Sequence, residues 1–167
     1  MANTQSMCTS FMGQLLNGGH QFGSITLVTR GSLTAPTADT FKAALYLASA
    51  TINASTTAYS ATGEVTGTNY TAGGVGTGAW NAPTATNSTS TAGVAFTTPT
   101  TNFIYGTTGL PVTLSTAFDS VLVYNSTQNN TAVSVHTFGS QTITAGIFTL
   151  TMPTNSTTTG LLRLSTT

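Results

Sequence analysis

Apolar residues recur at every second position in short runs along this chain, and Gly, Asn, Ser and Thr separate the runs. In Ile147–Met152, Phe148, Leu150 and Met152 alternate with Ile147, Thr149 and Thr151. A period of two is that of a β-strand whose faces meet different surroundings. Phe41–Leu47 sets Phe41, Ala43, Leu45 and Leu47 on one face. Phe118–Tyr124 sets Phe118, Leu122 and Tyr124 against Val121 and Val123, and Ala132–Phe138 offers Val133 and Val135. Leu122, Val133, Val135, Phe148 and Leu150 are expected to be mostly buried. Ile25–Val28 and Leu161–Leu164 read as further strands, with weaker signals at Val65–Thr66, Gly93–Thr97, Phe103–Tyr105 and Pro111–Leu114. Short strands at this spacing predict an all-β fold, a β-sandwich or jelly-roll-like domain.

One helical pattern interrupts this reading. Met7, Phe11 and Leu15 fall at i, i+4 and i+8 within residues 5–17, and Met12 and Leu16 widen the stripe. Thr4 or Ser6 is placed to cap the start and Gly18-Gly19 to end it. Gly13 weakens the middle by up to about 1 kcal/mol, so the helix needs a surface to pack on. The chain therefore divides into an N-terminal helical segment at 1–22 and a single β-sandwich domain at 23–167. Within that domain a Gly/Thr-rich loop is expected at about 72–93, around the lone Trp80, with a smaller break at 153–160.

Charge is nearly absent. Three Lys/Arg and three Asp/Glu make the chain 4% charged with a net charge of 0, and Thr alone makes up about a quarter of it. Charge keeps a diffusing protein soluble and monomeric, and net charge near zero promotes association. The composition points to a part of something assembled. Arg30, Lys42 and Arg163 are scattered and offset by Asp39, Glu64 and Asp119, which argues against a nucleic-acid partner. Cys8 is the sole cysteine, so no intrachain disulfide or Cys-based zinc site is expected. No stretch reaches the length of a membrane-spanning helix and no secretory signal is seen, so synthesis in the cytoplasm and a soluble chain are expected.

Catalytic chemistry finds little to work with. A paired-carboxylate mechanism has only Asp39, Glu64 and Asp119 to draw on. A Ser/His/Asp set from Asp119, His136 and one of many Ser carries no information in so Ser-rich a chain, and no Gly-x-Ser-x-Gly or His-Glu-x-x-His motif occurs. His136 reads as a strand histidine bonded to a neighbouring hydroxyl, and with His20 it makes a poor metal site. The Asn-x-Ser/Thr sequences at Asn53, Asn69, Asn87, Asn125, Asn129 and Asn155 are expected by chance from the Ser and Thr content. Scattered Thr-x-Thr pairs keep no period that would build a regular binding array. No enzymatic activity, metal or cofactor is expected.

The candidate functional residues are therefore interface residues. Met7, Phe11, Met12, Leu15 and Leu16 form a terminal apolar stripe that either covers the chain's own sheet or docks on a neighbouring subunit, where Met adapts to irregular surfaces. Trp80 is the one large apolar group of its loop, and Trp is enriched among interface anchors. It is either such an anchor or a core group folded under the sheet.

Longer stretches carry a resemblance. Met7-Cys8-Thr9-Ser10-Phe11, Leu15-Leu16-Asn17-Gly18 and His20-Gln21-Phe22 are followed by Asp39-Thr40-Phe41-Lys42-Ala43-Ala44-Leu45-Tyr46. Thr57-Ala58-Tyr59-Ser60, Gly63-Glu64-Val65 and Gly67-Thr68-Asn69-Tyr70-Thr71-Ala72-Gly73-Gly74 come next, then Tyr124-Asn125-Ser126, Ala145-Gly146 and Phe148-Thr149-Leu150. In these words the chain resembles a family of small virion-associated proteins of tailed bacteriophages. It departs from them at Met12-Gly13-Gln14, where such proteins tend to carry charge, and in a longer stretch at 24–37. The resemblance implies a virion component on the head, a cement or decoration protein that binds the major capsid protein and copies of itself on the capsid surface as a homo-oligomer. A tail, neck or fibre-associated component is the alternative within the virion. A carbohydrate-binding β-sandwich displaying Trp80, Tyr70 and Asn-rich loops is the alternative outside it.

Overall fold

In the computed structural model, residues 3–16, 19–20, 22, 37–86 and 93–165 are described, without the side chains of Gly13 and Leu16. The strand expected at Ile25–Val28 lies outside these residues. The fold is all-β, with antiparallel sheets and one short helix.

The main sheet is built on a long hairpin, β7 (Val112–Asn125) and β8 (Thr131–Gly146). Its turn has left-handed backbone at Asn129 and Asn130 (φ 51° and 57°), a conformation that Asn tolerates better than most residues. Both strands run beyond the apolar alternation. Ser115, Thr116 and Ala117 and residues 139–142 are exposed, and the ladder there is irregular, with register shifts between Leu114 and Phe118 and between Phe118 and Ser120. β2 (Phe41–Leu47) pairs with β7, so Leu122 stands between Ala44 on one side and Val135 on the other. β1 (Ser6–Met7) flanks β8 and β3 (Val75–Gly76) flanks β2, giving the order β1-β8-β7-β2-β3. A second sheet orders β10 (Leu162–Ser165), β5 (Val94–Thr97) and β4 (Thr84–Thr86), and β6 (Phe103–Tyr105) pairs with β9 (Phe148–Leu150).

The core follows the alternation where the sheet has one covered face and exceeds it where both faces are covered. Ala43, Ala44, Leu45 and Tyr46 are all buried in β2, because residues 48–74 lie over one side. Leu122, Val133 and Val135 are fully buried, as expected. Phe148 and Leu150 are only partly buried, contrary to expectation, because β9 belongs to a two-stranded sheet. Phe148 nevertheless makes ring contacts with Tyr105, Phe118 and Phe138. Val65–Thr66 forms no strand, and only an isolated bridge joins Tyr46 to Glu64.

The N-terminal segment differs from its periodicity. The helix, α1, spans Thr9–Leu16, and residues 5–8 are not helical. Ser6 and Met7 instead pair with Val135 and Ser134. Neither Thr4 nor Ser6 caps the helix. The Cys8 N–H donates to the Val133 carbonyl (3.0 Å) and the Thr9 N–H to that of Ala54 (2.9 Å), so main chain from the sheet and the 52–54 turn takes up these donors. At the other end the Gly19 N–H reaches back to the Gln14 carbonyl (2.8 Å), a glycine stop of the kind expected.

The stretch expected to be a loop at 72–93 is ordered from 72 to 86 and carries β3 and β4. Gly74 explains how so glycine-rich a segment fits. Its φ is +73°, and a Cβ there would stand 1.8 Å from the Ala43 carbonyl oxygen, so only Gly lets the chain lie this close to β2. Residues 87–92 lie outside the described part.

Candidate functional site

The sequence-derived interface residues separate into two groups. Phe11 is 1% exposed, with its ring edge-on to His20 (4.8 Å) and Phe22 (5.9 Å). Trp80 is 5% exposed, against Phe22 (4.9 Å) and Phe41 (5.3 Å), and its indole N–H donates to Thr77 Oγ1 (2.9 Å). Both belong to the chain's own core, which corrects their reading as docking groups. The indole has a buried hydroxyl partner, and the rings fill one aromatic cluster between α1 and β2. Met7 and Leu15 are half-buried and Met12 is 47% exposed. The Leu16 side chain lies outside the described part.

Met7 and Leu15 line an apolar groove of about 80 Å³ between α1 and the β10-β5-β4 sheet, floored by the buried Phe11 and Phe22 and walled in part by Phe96 and Leu164. Leu164 is 44% exposed, so the groove opens to solvent along β10. A second groove, of about 450 Å³, lies between the 69–71 turn and the 104–110 segment. Its rim carries Ile104 and Leu110, which are 51% and 61% exposed.

Behind the second groove stands a cluster that sequence reading missed. Glu64 is buried, and its carboxylate accepts from the Tyr59 hydroxyl (2.6 Å), the Tyr70 hydroxyl (2.8 Å) and the Gly73 N–H (2.7 Å). Among the described residues no cation pairs with it. All five tyrosines of the chain gather here. Tyr46 and Tyr124 donate to the carbonyls of Ser60 (2.5 Å) and Gly73 (2.8 Å), which fastens residues 58–74 to β2 and β7, and Tyr105 donates to that of Ala43 (3.0 Å), which ties β6 to β2. One acid meeting five phenols in an almost uncharged chain was the available signal. Its positions are spread from 46 to 124, so only the fold brings them together.

Burial, joined by the nearby Glu64 charge, raises every one of these phenols. Tyr46 and Tyr124 are pushed up to about 12, Tyr59 and Tyr70 rise further, and Tyr105 rises well above the ordinary tyrosine value. The folded state then holds phenolic protons that the unfolded chain has released, so stability is complete below about pH 10 and falls as pH rises above it. Titration followed by phenolate absorbance is expected to show no tyrosine ionising near pH 10 and a single step that coincides with unfolding. A normal tyrosine titrating in the folded protein would contradict the cluster.

The remaining titratable groups are engaged structurally. His136 shares a hydrogen bond with Ser134 Oγ (2.9 Å), the hydroxyl partner expected of it, and burial lowers its pKa to about 4. Asp119 accepts from Asn3 (2.7 Å) and makes no bond to His136, so the Ser/His/Asp set is not assembled. Cys8 is buried, and burial pushes its thiol up to about 11. Among the described residues no three His, Cys, Asp or Glu side chains gather in a way that could hold a metal ion. No described helix is long and apolar enough to cross a membrane. No family model, no curated protein and no solved structure matches the chain.

Proposed function

We propose that this chain is a structural subunit of a tailed-phage virion, a cement or decoration protein that binds the outside of the capsid through the major capsid protein and copies of itself. The observation that carries the reading is the kind of surface offered. Met12, Ile104, Leu110, Ile147 and Leu164 are all 44–61% exposed in a chain with six charged side chains. Single exposed apolar residues are ordinary, but Leu164 borders a groove beside α1, and Ile104 and Leu110 border another beside β6. A subunit that bridges neighbours in a shell needs contacts on more than one side. Each contact can be modest, because repetition over a lattice adds avidity. Trp80 is in the core, so the aromatic platform that a carbohydrate-binding reading relied on is not displayed.

Quantitative mass spectrometry of purified particles tests this reading. A cement protein is expected on the order of hundreds of copies per particle, since it repeats with the capsid lattice. A dozen or so copies would move the protein to the neck or tail, and its absence from particles would reject a virion role.

A further inference from the structure

His20 bonds to α1 and to the end of β7 and stacks on Phe41 of β2, in a hydrogen-bond pattern that admits one protonation state. Asn125 Oδ1 accepts from the main-chain N–H groups of Thr127 and Gln128, both at 3.0 Å. Those two bonds fix the orientation of the amide, so Nδ2 is the atom facing Asp39 Oδ2 (2.7 Å) and His20 Nδ1 (3.0 Å). An amide NH₂ only donates, so His20 Nδ1 is an acceptor and carries no proton. The ring's proton therefore sits on Nε2, which donates to Gln14 Oε1 of α1 (2.8 Å). The ring is 9% exposed and packs against Phe11, Phe22 and Phe41.

We propose that neutral His20 is an acid-sensitive latch, holding α1 against β2 and the β7–β8 turn and releasing the helix when the imidazole takes up a proton. A second proton can go only on Nδ1, where it meets the Asn125 amide protons. Asn125 cannot present its oxygen instead without giving up two turn bonds and its bond to Asp39. The helix contributes Gln14 and Phe11, β2 contributes Phe41 and the turn contributes Asn125, all uncharged. Asp39 is the charged group that acts on the ring. It favours the proton, and burial outweighs it, so the pKa is lowered.

The sign follows from linkage. With the latched pKa below the free value of about 6.5, the released state binds more protons, so release grows about tenfold per pH unit as pH falls below 6.5, until the latched pKa is reached. Amide hydrogen exchange on the full chain, corrected for intrinsic rates, reads this directly. Protection of Phe11–Leu15 is expected to fall about tenfold per pH unit in this window, while Leu122 and Val133 exchange more slowly throughout. In His20→Gln, which cannot titrate, the helix should lose this pH dependence. Imidazole ¹⁵N spectra of the unmodified protein near pH 7.5 provide a test that no substitution can spoil, and they should show the Nε2–H form. An Nδ1–H form, helix protection independent of pH, or helix amides exchanging at the rate of Leu122 would each overturn the latch.

Discussion

Glu64→Ala is expected to lower stability by about 2–4 kcal/mol, since it strands one buried donor, worth about 1–3 kcal/mol when left unsatisfied, and two partly buried hydroxyls that cost less. The stranded groups are the Tyr59 and Tyr70 hydroxyls and the Gly73 N–H. Tyr70 also accepts from the Leu45 N–H (3.0 Å), so losing its anchor disturbs β2 as well as the overlying loop. Glu64→Gln can keep an acceptor oxygen toward the Tyr70 hydroxyl and the Gly73 N–H and turn its NH₂ toward the Tyr59 hydroxyl, which can rotate to accept, so it should cost less than half as much. Denaturant unfolding followed at the tyrosines reads both variants. A loss below about 1 kcal/mol for Glu64→Ala, the size of one ordinary hydrogen bond, would show that the cluster does not hold residues 58–74 in place.

Phe11→Ala is the second large effect, about 3–5 kcal/mol, the range for removing a fully buried aromatic side chain. Phe11 fills the space between α1 and Phe22, and its ring also contacts His20, so collapse around the gap is restricted. The loss should appear as a lowered melting temperature.

The strands that were legible in the sequence are those whose apolar residues recur at every second position, even where, as at Ser120–Asn125 and Ala132–Val135, both faces are buried. Leu122, Val133 and Val135 could be placed in the core because their neighbours alternate. The outer halves of β7 and β8 could not be seen, since Ser115-Thr116-Ala117 and Gly139-Ser140-Gln141-Thr142 carry no alternation, and their strand form depends on an irregular long-range ladder, with Leu114 opposite Ile143 and Phe118 opposite Gln141. β1 was hidden because Met7 fits the helical spacing of Phe11 and Leu15 equally well. Pairing with β8 decides between the two patterns, and that contact lies more than a hundred residues away. Whether Trp80 is an anchor or a core group was left open for a related reason. Its glycine-rich neighbours suggest a loop, and nothing local shows that Phe22, Phe41 and Thr77 enclose the indole. Of the proposed surface stripe, Met12 keeps an exposed side chain and Phe11 does not, a distinction that depends on which side of an eight-residue helix meets the sheet.

That distinction supplies the most direct measurement, occupancy on purified particles of Met12→Asp beside Phe11→Ala, each with its melting temperature. An exposed substitution away from the core usually changes stability by less than about 0.5 kcal/mol. An unpaired charge placed in an apolar contact weakens binding, and about 1.4 kcal/mol is a tenfold loss of affinity. The account predicts that Met12→Asp melts like the parent protein and is depleted from particles about tenfold or more. Phe11→Ala should melt lower, while the molecules that remain folded attach normally. Full occupancy by Met12→Asp, together with loss of folded Phe11→Ala from particles, would contradict the assignment of α1's exposed side to the virion contact.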